Sequence, residues 1–336
     1  MAFGETIPAG EGEAFRKLAE EIAEIQAERV RRGGTPDRVM HVKQHVGAIG
    51  ELKVSAPPEA RHGVFAEPDA RWPVYVRFSN GAGARQPDGP PDARGFAVKL
   101  VGVPGKKLIE GLEDELTQDF LFIDTPALPF QNPEQFMAFV RAAKDGPAKL
   151  LPGLIAGFGF FKAIGILWGA ITAEKVKSFA THAFHTGAPI AFGSTAAKLG
   201  LFPLPNDAPP PSVGGGDYLR DDLVARLGAG ELSWSLRAQP FVDESTTPIE
   251  DTSVVWSGPW VELGTLTLPR QDPDSARGKE VSELVNRMSF DPWHAIEAHR
   301  PLGAIMRARR AAYAPSVIGR KALPEPRSMM ALELAS

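Results

Sequence analysis

Apolar positions recur at helical spacing near the start of the chain. Phe15, Leu18, Ile22, Ile25 and Val30 fall on one stripe of a 3.6-residue repeat, and Gly33-Gly34 ends it. The spacing predicts a helix over Glu11 to Arg32. The pattern then changes to short runs rich in β-branched and aromatic residues. Gly50 to Val54, Val74 to Ser79, Phe96 to Val101 and Phe120 to Ile123 read as strands, separated by turn-rich stretches such as Ala82 to Asp92. Helix returns over Pro133 to Ala143, where proline sits near the start behind Asn132. Beyond that, Ile190 to Ser194, Glu231 to Pro240 and Val261 to Leu268 read as strands. Pro203 to Gly216 reads as loop, and Asp217 to Leu227, Ser275 to Ser289 and Pro301 to Ala312 as helices. Strands first, with helices inserted and at the C-terminus, predict one α+β domain over 1–336, with residues 1–35 as an N-terminal helical arm.

One stretch departs from this alternation. Leu150 to Ile171 holds 22 residues with a single charge, Lys162, together with five glycines and a proline. Three readings stay open: a buried helical hairpin, a surface for peripheral membrane contact or lipid entry, and a membrane span, in which Lys162 near the middle is costly.

Composition narrows the chemistry. The chain has 336 residues and no cysteine, which excludes a disulfide scaffold, a thiolate-ligated metal or haem, an iron–sulfur cluster and a cysteine nucleophile. The net charge of -4 offers no basic face for nucleic acid. Met1 to Gly12 has no basic segment followed by an apolar run, so a secretory leader is not expected and a cytoplasmic location is. With 34 glycines and 31 prolines the fold should be rich in turns. There is no G-x-S-x-G, P-loop or dinucleotide fingerprint. His182-x-x-His185 has metal-ligand spacing, but no third ligand is evident.

Three blocks are more specific. The first is Arg38-Val-Met-His41-Val-Lys43, followed by Gly50-Glu-Leu-Lys-Val54. The second is Val76-Arg77-Phe78-Ser79-Asn80-Gly81 with Asp92-Ala-Arg94-Gly95-Phe96-Ala97-Val98-Lys99. The third runs from His299-Arg300-Pro-Leu-Gly303 through Arg309-Arg-Ala-Ala-Tyr313 to Arg320, with Phe290-Asp-Pro-Trp293 just upstream. In this order, covering most of residues 38–320, the chain resembles the catalase superfamily of tyrosinate-ligated haem proteins. Their strands carry R-x-x-H-A-K-G, G-x-F-x-V, V-R-F-S and D-x-R-G-F-A-V-K, and their proximal motif is R-x-x-x-Y with a second arginine seven residues on. The shorter spacings bring it nearer to the compact catalase-related peroxidases. The resemblance implies a catalase-like antiparallel β-barrel core with inserted and C-terminal helices, and a single haem domain with 150–171 as an apolar helical insertion. It also implies haem b, with its iron held by Tyr313, and leaves a homo-oligomer open.

Elementary chemistry agrees with these roles. Arg309 and Tyr313 stand four apart, so a helix places them on one face, where the guanidinium helps hold an ionised phenol oxygen for iron. His41 is the distal base implied by the resemblance. Peroxide cleavage needs a neutral imidazole that takes the peroxide's proton and hands it to the leaving oxygen. Ser79 resembles the residue that fixes the tautomer of this histidine. His45 remains an alternative: on a regular strand His41, Lys43 and His45 share a face, and a bulge would aim either one. Arg38, Arg77 and Arg320 resemble the arginines that pair with haem propionates. Phe136, with Phe130, is expected on the haem face.

Asp124-Thr125-Pro126 stands where catalases have N-T-P. An ionised carboxylate cannot donate the hydrogen bond that the amide gives; Asp124 is either kept protonated by burial or acts as a second acid/base. The expected function is a haem-dependent peroxidase or catalase acting on hydrogen peroxide and on organic, lipid-like hydroperoxides. The alternatives are a fatty-acid hydroperoxide isomerase or dehydratase of the allene-oxide-synthase type, and a non-catalytic, membrane-associated haem-binding protein.

Overall fold

Alternation at period two gives each strand two faces, and in this fold the two faces serve different ends. The structure is a computed structural model that describes residues 4–32, 34–144, 147–159, 163–165, 175–205 and 214–329. Among them the strands are β1 (Gln44–Val54), β2 (Arg71–Asn80), β3 (Arg94–Val101), β4 (Thr117–Ile123), β5 (Phe184–His185), β6 (Ile190–Phe192), β7 (Thr195–Pro203), β8 (Leu232–Pro240) and β9 (Val261–Leu268). They hydrogen-bond in the order β5-β4-β3-β2-β1-β9-β8-β7-β6, and β5 also pairs with β7. That second pairing closes β5-β4-β3-β2-β1-β9-β8-β7 into an antiparallel barrel of eight strands, leaving β6 as a short partner of β7. Closure removes the exposed edges that an open sheet would present.

The barrel interior is filled. Val76, Phe78, Phe96, Val98, Phe120 and Phe122 of β2–β4 belong to the buried core with Phe179, Phe184 and Trp234. Phe78 lies 4.5 Å from Phe96, and Phe96 meets Trp234 edge to face at 5.1 Å. The intervening positions face the other way. Register pairs Arg77 with Ala97 and Ala97 with Leu121, and Ser79 with Gly95 and Gly95 with Ile123. These residues form a second surface on the outer side of the barrel.

α-Helices accompany the strands, and the first, second and last of them reach that surface. They are α1 (Glu11–Arg31), α2 (Pro133–Lys144), α3 (Pro147–Phe158, with Pro152 inside), α4 (Tyr218–Ala229), α5 (Ala276–Arg287) and α6 (Ala304–Gly319). The Ser275 hydroxyl caps α5 by accepting from the Gly278 N–H. Helix α5 lies so close to β1 that a Cβ on Gly47 would come within 2.7 Å of the Val285 Cβ. Phe15, Leu18 and Ile22 of α1 pack against Ala308 and Ala312 of α6 and Met137 of α2.

Most expected elements are present, with instructive differences. β1 begins at Gln44, six residues before the predicted strand, and its register against β2 shifts between Gln44 and Val46. β7 escapes the sequence pattern because Ala-Ala-Lys-Leu-Gly-Leu carries no β-branched residue after Thr195. Helix α6 does not stop at Ala312 but continues through Pro315 to Gly319. Val30 of the α1 stripe is exposed. Of the apolar stretch 150–171, residues 160–162 and 166–171 lie outside the described residues. Within the rest, Leu154 and Ala163 are buried against Phe139, Ile155 and Phe158. Among the described residues no helix is long and apolar enough to cross a membrane.

Candidate active site

The outer surface of β2–β4 is the floor of a cavity. Arg77, Ser79, Gly95, Ala97, Leu121 and Ile123 line it from below. One wall is the segment Arg38 to His41. Another wall is a stripe of α6 and its C-cap: Ile305, Arg309, Tyr313, Ser316 and Arg320 recur at three- and four-residue steps, with Ala312 beside Tyr313. Ile22 of α1, Leu128, Phe136 of α2 and Phe290 complete an apolar enclosure with few polar groups, the usual make-up of a cofactor pocket.

Tyr313 stands on the α6 wall. Arg309 Nη2 donates to its hydroxyl oxygen at 2.7 Å, and the same guanidinium lies 5.2 Å from the ring centroid. His41 comes from the other wall. Its backbone has φ 57°, a left-handed conformation stabilised by its N–H bonding Gly81 O at 2.9 Å and its carbonyl accepting from Arg77 Nη2 at 2.8 Å. Its Nδ1 sits 3.1 Å from Ser79 Oγ, which leaves Nε2 as the ring nitrogen for a substrate. A Cβ on Gly95 would lie 2.6 Å from that Nδ1, so only glycine lets the imidazole settle on β3. Burial, with the charges of Arg77, Arg309 and Arg38, pushes His41 down to about 3. Its imidazole is therefore neutral, a proton acceptor, at all ordinary pH values.

Three more guanidiniums gather where α5 ends. Arg38 donates to the carbonyls of Asn286 and Met288 at 2.8 and 2.6 Å, and Arg320 to those of Arg287 and Met288 at 3.2 and 2.8 Å. The last carbonyls of a helix are its negative pole and suit cations. These contacts do not neutralise the charges. Neither Arg38, Arg77, Arg309 nor Arg320 forms a salt bridge among the described residues. Burial first, then mutual repulsion, pushes Arg38 well down and Arg77 to about 9; burial pushes Arg320 to about 10. The Arg77 Nε is buried without a hydrogen-bond partner. A largely buried cluster of cations, with Asp37 as the one carboxylate acting on Arg38, Arg77 and Arg320 among the described residues, favours a bound anion. An apolar slot with that cluster at one end, a phenol oxygen on one wall and a neutral imidazole on the other fits a haem with its two propionates.

Two expected site residues are not on the cavity wall. The residues His41, Lys43 and His45 do not share a face, because the strand starts at Gln44 and its register shifts immediately afterwards. His45 is turned away from the slot: its Nε2 bonds Asn80 Oδ1 at 2.8 Å, inside a buried network. There Lys43 pairs with Asp88 and Asp217, both at 2.6 Å, and Arg94 bonds Asn80 Oδ1 and Asp88 O. Asp124 lies at the cavity's edge, and its Oδ1 accepts the Arg94 N–H at 2.9 Å. Burial pushes its carboxyl up. Phe136 is on the wall as expected, whereas Phe130 is buried behind it, 5.6 Å away. His182 contacts the Asp124 carbonyl at 3.2 Å, and among the described residues no three His, Cys, Asp or Glu side chains are grouped to hold a metal. Asp88 and Asn80, which organise the network, carried no sequence signal beyond the motif around them.

Residues 15–164 match the Catalase family model. A catalase-related peroxidase of Mycolicibacterium paratuberculosis is 28% identical over 260 residues, spanning 73% of this chain and 77% of that protein. Over these regions the chain is similar to catalases and catalase-related peroxidases. Catalase A of Aspergillus fumigatus is 31% identical over 138 residues, which cover 40% of this chain and 17% of that protein. Among solved structures, a fungal catalase superposes with a TM-score of 0.66 at 19% identity, covering 88% of this chain and 61% of its own. Catalase A from Saccharomyces cerevisiae gives 0.67 at 17% identity, covering 95% and 67%. The likeness to these structures is one of fold.

Proposed function

We propose that the chain is an oxidoreductase of the catalase type that binds one b-type haem in this slot and uses peroxides as oxidants, organic hydroperoxides at least as well as hydrogen peroxide. The observation that carries the reading is that one apolar slot is lined by both Tyr313 and His41, together with guanidiniums that form no salt bridge among the described residues. When bound, the haem supplies an iron that takes up the oxidising equivalents of the peroxide. Tyr313 would hold that iron through its oxygen, with the Arg309 charge beside it. Arg38, Arg77 and Arg320 would grip the propionates. His41 Nε2 accepts the proton of the incoming peroxide and returns it to the oxygen that leaves, one imidazole acting first as base and then as acid. Ser79 fixes the ring for this exchange.

Two features support organic hydroperoxides. Asp124 stands in place of an amide, its Oδ1 accepts the Arg94 N–H, and its carboxylate form has no donor for a small peroxide. The wall at Leu128 and Phe136 is apolar and backed by Phe130, and an acyl chain lying on it would gain about 0.8 kcal/mol per buried CH₂.

Purified protein is expected to show the Soret band of a high-spin ferric haem, and kcat/KM for cumene and fatty-acid hydroperoxides should equal or exceed that for hydrogen peroxide. Rapid turnover of hydrogen peroxide with neither organic substrate used would return the chain to a plain catalase reading. The guanidinium cluster has its own test. Haem dimethyl ester, whose propionates carry no charge, should bind at least about tenfold more weakly than haem, since hydrogen bonds to charged groups contribute about 1.5–3 kcal/mol each. Equal affinities would remove the propionate assignment.

A further inference from the structure

Helix α1 lies across the cavity in a way that its amphipathic stripe does not explain. Ile22 forms part of the wall, and the polar residues of the next turn reach both sides of the slot. Gln26 is only 4% exposed although it carries an amide. Its Nε2 donates to Asp37 O at 2.8 Å, next to Arg38, and lies 3.4 Å from Ser316 O on α6, three residues beyond Tyr313. The fit is close on the α6 side: a Cβ on Gly319 would stand 2.7 Å from Gln26 Oε1. One turn on, Arg29 Nη1 donates to Arg38 O at 2.6 Å and Nη2 to Val39 O at 3.4 Å. The other end of α1 is tied to the same helix α6, through Glu11 and Arg307 at 2.8 Å.

We infer that α1 is a strap joining the Asp37–Val39 segment to α6, and that Gln26 and Arg29 are positioning residues that set the width of the cofactor slot and the direction of Arg38. Neither residue touches the cavity. They act through backbone carbonyls: Gln26 spaces the two walls, and Arg29 holds the carbonyl of the residue whose guanidinium faces the slot. A buried amide that bonds two carbonyls from opposite walls is a spacer of fixed length. This inference rests on the haem reading only for its second readout.

Gln26→Glu keeps the size of the side chain and turns its donor into an acceptor facing two acceptors. Hydrogen exchange of the cofactor-free chain should then rise at least tenfold at residues 38–41 and 316–320 together. Haem release from the loaded protein into excess apomyoglobin should quicken by at least tenfold. Arg29→Lys, which keeps the charge but loses the fork, should loosen 38–41 alone. Arg141→Gln, which breaks the exposed pair from Glu21 of α1 to α2, should change neither readout. Should Gln26→Glu fail to fold, Arg29→Lys still decides the role of Arg29 at 38–41. Wild-type exchange in both segments overturns the proposal, and so does a uniform rise that includes the barrel strands, which would mark a mere loss of stability. If the wild-type chain takes up no haem, the exchange experiment still decides the strap, and the haem reading falls on its own.

Discussion

Tyr313→Phe is expected to lose bound haem, or to keep it with an altered ferric spectrum, while the chain folds as before. The change removes one oxygen, the atom that receives the Arg309 hydrogen bond at 2.7 Å and faces the slot. Tyr313 is only partly buried, and a single hydrogen bond contributes about 1 kcal/mol to stability, so the unfolding midpoint should barely move. Ligation is a different matter, because phenylalanine offers iron no donor atom. Haem content by pyridine haemochrome and the visible spectrum, measured beside a thermal melt, separate the two effects. Unchanged content and spectrum would sink the proximal assignment, whatever the melt shows.

The second large effect concerns His41. His41→Ala should retain the Soret band and lose turnover by about 10²–10⁴-fold, the usual weight of a general acid–base. His45→Ala should behave in the opposite way. Losing the 2.8 Å bond to Asn80 in a buried network costs about 1–3 kcal/mol of stability, yet turnover per bound haem should stay near normal. The pH profile provides an independent check. With His41 lowered to about 3, its accepting form persists down to that value, so kcat/KM should be flat between pH 5 and 8 as far as this group is concerned. A loss of activity centred near pH 6.5 would contradict a neutral, cation-flanked imidazole.

Much of the site was legible from residue order because its members lie on regular elements. Arg77 and Ser79 are two apart on β2, and Arg309 and Tyr313 are four apart on α6; periodicity alone brings each pair to one face. The resemblance favoured His41, but the physical reason that His41 and not His45 lines the cavity was not legible. That placement follows from a positive φ and a register shift, and neither is written in a local residue pattern. The engagement of Asp124 with the Arg94 N–H was also hidden, since it depends on how β3 and β4 align at their ends. Amphipathicity located α1 correctly but could not say what its stripe covers. The stripe records that Ile22 is buried, and only the fold shows that one side of that burial is a cavity.

The division of β2–β4 into inward and outward positions has a consequence for how this chain can change. Substitutions keep the two sets apart; a single-residue insertion or deletion within one of these strands exchanges them. After such a slip in β2, Phe78 would enter the slot and the charge of Arg77 would be driven among Phe96 and Trp234. Length variation should therefore be confined to the connections, whereas point replacement can reshape the outer face one position at a time. Reading frame along the strand, as much as residue identity, is what a working descendant of this sequence has to inherit.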